Sequence, residues 1–328
     1  MAREMKKVVR AGGDPIAYRD RDKRQSLIFE DAARQVHREQ ILPTARNAKH
    51  AAQWPNTLRD YAFPAIGVLP VHAVAQSDIL RVLSPIWTEK AETARRVRQR
   101  LRTVFAWAKT AGHREGDDPV DDVEQGLPKQ RDRQSHFRAL PYSGLPDLMH
   151  RVVEVQGMGA LALRFAILTA ARSGEVRAAV WDELDLVAKV WTIPEEKMKG
   201  GREHRVPLSD AAIDVLEQAR GLATRKEDLV FPSTRAGRPL SDMTLAAVLK
   251  RPGVDATVHG MRSTFRDWAE EATSYPHQVK EMALAHAVKN KVEAAYLRTD
   301  LFEKRRDMMD AWASHATQTA AKVVRIGA

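Results

Sequence analysis

Apolar residues recur every three or four positions through most of this 328-residue chain, the spacing of helices that bury one face. The period changes once. In "KVWTIP" and "HRVPLS", residues 189–194 and 204–209, apolar and polar residues alternate as in strands, and the segment between them contains Gly-Gly. The chain is therefore read as mainly α with one small antiparallel β-sheet inserted. Its length exceeds what a single core usually serves, so two domains are expected.

The division is placed from composition. Residues 1–25 are polar and rich in Arg, Lys and Asp, with "AGGDP" as a turn signal, and read as a lead-in. Residues 26–110 read as a helical bundle: "LIFEDAARQVHREQIL", "KHAAQWPNTLRDYAFPAI", "QSDILRVLSPIW" with Ser77 as the expected N-cap, and "KAETARRVRQRLRTVFAWAKTAG". In the last of these Val97, Leu101, Val104, Phe105 and Ala108 share a face, and Arg95, Arg98 and Arg102 line the flank beside it. That row is either a solvated flank or a basic stripe with a partner. Residues 111–134 have Gly, Pro and charge but little apolar periodicity and read as a linker. Residues 135–318 form the second, mainly helical domain with the sheet, in which "GALALRFAILTAARSGEVRAAV" is apolar enough to be central; 319–328 are a tail.

Charge narrows the partner. Lys and Arg number 53 against 43 Asp and Glu, a net +10, and up to Gln134 there are 25 basic and 18 acidic residues, so the first part carries seven of the ten. A polyanion, nucleic acid first, is the expected partner. No apolar run of about 18 residues and no signal-peptide pattern occurs, so an intracellular protein without a membrane span is expected. Without cysteine, covalent chemistry must use an oxygen or nitrogen group. No phosphate-binding G-x-x-x-x-G-K-[ST] loop, dinucleotide fingerprint, H-E-x-x-H pair or calcium loop is present, and no cofactor or metal is expected.

What remains is a scattered cationic set and one tyrosine. Arg172 follows an apolar run, with Glu175 three positions later; it either satisfies helix-end groups and pairs with Glu175, or serves a site. His259 and Arg262, in "HGMRSTFRDW", are three apart, a helical spacing that lets both donate to one anion, and Arg266 continues that face. Lys199 lies near the tip of the expected hairpin, and His286 ends an apolar helix. Singly, each is more simply a structural or solvated residue. Tyr296 stands ten positions after His286 in "AHAVKNKVEAAYLRTD".

Taken in order, Arg172, Lys199, His259, Arg262, His286 and Tyr296 resemble the catalytic set of the tyrosine recombinases, the phage integrase family. "LTAARSGEVRAAVWDELD", "MKGGREHRVPLSD", "HGMRSTFRDWA" and "LAHAVKNKVEAAYLRTDL" look like prophage and satellite-phage integrases that insert at tRNA genes, and "KHAAQWPNTLRDYAFPAIG" and "PIWTEKAETARRVRQRL" look like their core-DNA-binding module. The resemblance implies a helical core-binding domain followed by a tyrosine-recombinase catalytic domain. It implies that Tyr296 attacks a DNA phosphodiester to give a 3′-phosphotyrosyl bond and a free 5′-hydroxyl, with no ATP. Arg172 and Arg262 would hold the non-bridging oxygens, Lys199 would protonate the leaving oxygen, His259 would move the phenolic proton, His286 would bond the phosphate and Glu175 would orient its neighbours.

The same resemblance implies double-stranded attachment sites as the DNA partner, a homotetramer in the synaptic complex, an excision factor as a further partner, and the bacterial nucleoid in the cytoplasm as the place of work. It also implies DNA contacts by Arg95, Arg98 and Arg102, and an apolar docking role for Leu301, Met308, Met309 and Trp312, within the chain or on a neighbouring protomer. Relatives usually carry a further N-terminal arm-binding domain, of which residues 1–25 would be the remnant. Two other readings stay open: a catalytically idle DNA-binding prophage remnant acting as a regulator, and a topoisomerase-like relaxing enzyme.

Overall fold

The computed structural model describes residues 6–7, 9–14, 27–45, 48–130, 137–223, 228–286 and 299–318, side chains of 48–50 excepted. The chain forms two compact units, Met1–Gln134 and Ser135–Ala328.

In the first unit, α1 (Phe29–Val36) runs on through a π-helical turn, His37–Ile41, and is followed by α2 (Ala48–Tyr61), α3 (Phe63–Ile66), α4 (Gln76–Leu83) and α5 (Ala91–Thr110). The apolar face expected of α5 is wholly buried and packs on Phe29, Val36, Leu58 and Ile79. Pro55 lies inside α2 and has no N–H for the carbonyl of Ala51. His37 Nε2 meets that oxygen at 2.9 Å, its ring stacked on Trp54. Arg100, on the inner side of α5, is buried and donates to the carbonyls of Gln53 and Trp54 at 2.9 and 3.3 Å. Ser77 is not the cap of α4: it lies in the first turn, and the Asp78 carboxylate accepts the N–H of Ala75 at 3.0 Å instead. The carboxylate, one residue on, has the reach that returns to the N-cap backbone.

The stretch 111–130, expected as a linker, lies on this core in the structure. Val120 and Val123 are buried in it, and Arg114 Nη1 donates to the carbonyls of Val71 and Val74, each at 2.9 Å. Two well-placed valines and one arginine suffice here, too few to register as periodicity.

The second unit is built around α7 (Met158–Thr169), buried on nearly all sides as its composition requires. Around it pack α6 (Leu145–Val153), α9 (Asp210–Leu222), α10 (Thr244–Lys250) and α13 (Phe302–Thr317), with α8 (Ser173–Arg177), α11 (Gly260–Glu271) and α12 (His277–Ala283) completing the helices. The sheet has three antiparallel strands in chain order, β1 (Leu184–Asp185), β2 (Val190–Ile193) and β3 (His204–Pro207), with Trp191 opposite Val206 and Ile193 opposite His204. The two strands read from the sequence are β2 and β3. Trp191 and Ile193 point into the core, as a period of two demands. The terminal helix α13 packs within its own chain: Met308, Met309 and Trp312 are buried, and Trp312 Nε1 donates to the carbonyl of Ile167 at 2.8 Å. No helix among the described residues is long and apolar enough to cross a membrane.

Candidate active site

Arg172 sits just past α7. The chain leaves that helix through Ala170 in the left-handed conformation (φ 50°), unusual for a residue with a Cβ, and Arg172 then becomes the N-cap of α8. Glu175, buried one turn on, takes the Arg172 backbone N–H at 2.8 Å and its guanidinium at 2.7 Å. The structural reading of Arg172 is thus met by its pairing with Glu175, which also fixes the guanidinium.

His259 and Arg262 open α11. Gly260 between them is required by close approach, since a Cβ there would collide with the carbonyl oxygen of Arg138. The Gly260 N–H donates to Thr257 Oγ1 at 2.9 Å, so the helix start is fixed and His259 with it. Phe137 packs edge-on against the His259 ring at 4.5 Å. Arg262 is only 6% exposed, and its guanidinium donates to the carbonyls of Ala170 and, at 2.6 Å, Leu284. It thereby ties the end of α7 to the end of α12. Two of five donors are used in these bonds, leaving the rest of the fork for an anion.

Lys199 is exposed in the β2–β3 loop, where Gly201 adopts φ 61°. Its neighbour Lys197 is committed elsewhere, to Glu183 and the carbonyl of Ala178. The structure thus separates the two lysines of "EEKMK". His286 follows Ala285, a second left-handed alanine (φ 49°), and its Nδ1 meets Glu281 Oε2 at 2.9 Å, a carboxylate that also pairs with Arg266 at 3.2 Å. Tyr296 lies outside the described residues.

Electrostatics shows which of these groups share a neighbourhood. His259 is held below its ordinary range by burial and then by the positive charges of Arg262, Arg172, Lys199 and His286. Arg262 is lowered to about 10 by burial and by Arg172, against which Glu175 works, so it remains a cation near neutrality. His204, on β3, is lowered to about 4 by burial and by Arg305, Arg262 and Arg172, although its hydrogen bond to the backbone of Ala283 pulls the other way. Four of the six predicted groups thus act on a fifth, His259, with Glu175 bonded to Arg172 and Glu281 to His286. Such a concentration of positive charge, only partly offset by Glu175 and Glu281, suits a multiply bonded anionic oxygen centre.

The arginine row of α5 is placed differently. Arg98 pairs with Glu124, and Arg102 with Asp121 and, at 3.9 Å, Asp118. Arg95 Nε lies 3.4 Å from the carbonyl of Ala91. Sequence reasoning did not single out His204, Glu281, Phe137 or Asp300. The "HRV" strand start and the acid five residues before His286 were visible, but nothing in their spacing tied them to a site.

Family models match both units: the phage integrase central domain over residues 29–125 and the phage integrase family model over residues 145–301. A prophage integrase, IntA, of Escherichia coli K12 is 32% identical over 315 residues, covering 88% of this chain and 75% of that protein. The chain belongs to the phage integrase family. It is accordingly a tyrosine-type site-specific recombinase. The integrase of enterobacteria phage P4 is 29% identical over 98% of this chain and 77% of its own length. Among solved structures, the fold matches a lambda integrase dimer bound to a core site, with a TM-score of 0.64, 18% identity, and coverage of 88% of this chain and 81% of that one. A lambda integrase tetramer bound to a Holliday junction matches with a TM-score of 0.65, 18% identity, and coverage of 85% and 82%. At that identity the likeness is one of fold.

Proposed function

We propose that the second unit cleaves and rejoins DNA strands at a specific site through a 3′-phosphotyrosyl intermediate, with the first unit as its core-DNA-binding domain. The observation that carries this reading is that Arg172, Lys199, Arg262 and His286 all act on His259, while among the described residues Glu175 bonds Arg172 and Glu281 bonds His286. A scissile phosphate would supply the missing negative charge.

The roles are those the resemblance implies, and the proton balance is consistent with them. The phenol of Tyr296 attacks phosphorus, a P–O bond to tyrosine forms, and the P–O bond to the 5′-oxygen breaks. Unperturbed, a phenol titrates near 10, so a base must accept its proton. His259, kept neutral by burial and its cationic neighbours, is that base. Lys199, on its exposed loop, protonates the departing 5′-oxygen. Arg172 and the spare donors of Arg262 hold the non-bridging oxygens as charge builds on them. His286, oriented by Glu281, adds a further donor to the phosphate. The 5′-hydroxyl of a partner strand reverses the step, so bond energy is kept and no nucleotide is consumed. Double-stranded attachment sites and a homotetrameric synaptic complex follow from the same reading, which the lambda integrase tetramer on a Holliday junction supports by analogy of fold.

The test does not require knowing the attachment site. Wild-type protein is incubated with a library of nicked duplexes whose core is randomised, and denaturant-stable protein–DNA adducts are captured and sequenced. A defined core sequence, linked through its 3′-phosphate and lost in Tyr296→Phe, is expected. No adduct from the whole library, or an adduct that survives Tyr296→Phe, would overturn the reading and leave a DNA-binding protein without this chemistry.

A further inference from the structure

Four residues beyond Tyr296, one carboxylate is bonded more heavily than its position requires. Asp300 Oδ1 accepts from Arg205 Nη2 at 2.8 Å and from the N–H of Phe302 at 3.2 Å, and Oδ2 accepts from Arg205 Nε and Arg305 Nη2, both at 2.9 Å. All four lone-pair sites are filled. The backbone carbonyl of Asp300 takes Arg305 Nε at 2.7 Å, while Arg305 Nη1 reaches the carbonyl of Arg205 at 2.5 Å. Leu301, the next residue, is left-handed at φ 52°, and the Phe302 ring lies beneath the guanidinium carbons of Arg205, Arg305 and Arg306 at 4.5, 5.6 and 4.9 Å.

Burial explains only part of this. Arg305 is 1% exposed and needs a carboxylate to be tolerated there. Arg205 and Asp300 are 45% and 41% exposed, and a forked pair at that exposure adds little to folding. What the fork does is geometric: it joins Asp300 to β3, the strand whose first residue, His204, stands in the field of Arg262 and Arg172. The chain reaches no more than about 3.3 to 3.6 Å per residue. Four residues of chain therefore span no more than about 14 Å.

We infer that Asp300, gripped by Arg205 and Arg305, is a positioning residue that sets where the nucleophile-bearing segment meets the cationic site. The inference rests on Tyr296 being the nucleophile. In the folded protein the left-handed turn at Leu301, the fork and the buried guanidinium act as one clasp on Asp300.

Cleavage rates at saturating DNA are measured for Asp300→Asn on the sequence captured by wild type, with an ordinary duplex and with one whose scissile 5′-oxygen is replaced by sulfur. A thiolate leaves without a proton, so Lys199→Ala should be slow on oxygen and restored on sulfur. Asp300→Asn should be slowed at least tenfold on both substrates, with DNA affinity within about twofold of wild type. If Asp300→Asn fails to fold, Arg205→Lys decides, since it keeps the charge and loses the fork; it should be slowed on both substrates by a smaller factor. A wild-type rate on both, or a loss that sulfur repairs, would overturn the inference, the second outcome assigning the clasp to the Lys199 loop. Failure of wild type to form any adduct would instead overturn the function on which the inference rests.

Discussion

Two arginine-rich regions of this protein use the same residue type in opposite ways. On α5, the guanidiniums of Arg96, Arg98 and Arg102 each meet a carboxylate from the same unit, and Arg100 is buried on carbonyl oxygens. Around His259, among the described residues, Arg172, Lys199, Arg262 and His286 meet two carboxylates, Glu175 and Glu281, which aim Arg172 and His286 while offsetting part of the charge. Counting basic residues would rank α5 first. What separates the regions is the degree of compensation: charge that the fold has fully answered stabilises the fold, and the excess left after Glu175 and Glu281 is available to a ligand.

The largest expected effect tests the region around His259. On the proposed mechanism Arg172→Ala removes one of two forks from the transition state, and such a loss typically costs about 3 to 4 kcal/mol of barrier, or two to three decades in rate. Cleavage at saturating DNA should fall by that factor while affinity changes only a few-fold. An equal loss in affinity would mean that Arg172 grips DNA in the ground state and contributes nothing special to the reaction.

A smaller effect follows from His204. Its pKa is near 4 folded and about 6.5 in an unfolded chain, so between those values the unfolded state binds the extra proton. Stability is then fully present above about 6.5 and is lost as pH falls toward 4. Urea unfolding from pH 7 down to 4 should show this decline, and His204→Gln should flatten it. An unchanged slope in the variant would show that His204 is not held among the cations as described.

The smallest effect lies on α5. If DNA displaces Glu124 and Asp121 from Arg98 and Arg102, the Arg98→Ala and Arg102→Ala double variant should weaken DNA binding and lower the salt dependence, by about one unit of slope for each phosphate that the arginines no longer neutralise. Exposed pairs of this kind contribute at most about 1 kcal/mol to folding. A slope equal to wild type would leave the row as an internal ion-pair seam and sharpen the contrast between the two regions.

Legibility in the sequence follows the range of the interaction concerned. The buried face of α5, the wholly apolar α7 and the hairpin of β2 and β3 depend on neighbours a few residues apart, and their periods announce them. The end of α7 at Ala170 was marked only by a run of small residues, and its left-handed turn depends on Arg262, 92 residues away, which caps its carbonyl. The clasp on Asp300 joins residues 95 apart, and neither arginine carries a local signal of it. The reading of 111–134 as a linker missed Val120 and Val123 because two isolated valines make no pattern until the core they enter exists. Among the catalytic candidates, the order along the chain was readable before their convergence was. That convergence needed the fold.

The central claim is that the positive groups around His259 exceed Glu175 and Glu281, the carboxylates bonded to two of them, so that a phosphate can complete the site. Titration of the His259 imidazole by NMR tests it most directly, in free protein and in the Tyr296→Phe protein bound to its captured duplex. The account predicts a midpoint below 6.5 in the free protein and a rise on DNA binding, as the phosphate charge offsets Arg172, Arg262 and Lys199. A midpoint at or above 6.5 without DNA, unmoved when DNA binds, would contradict it.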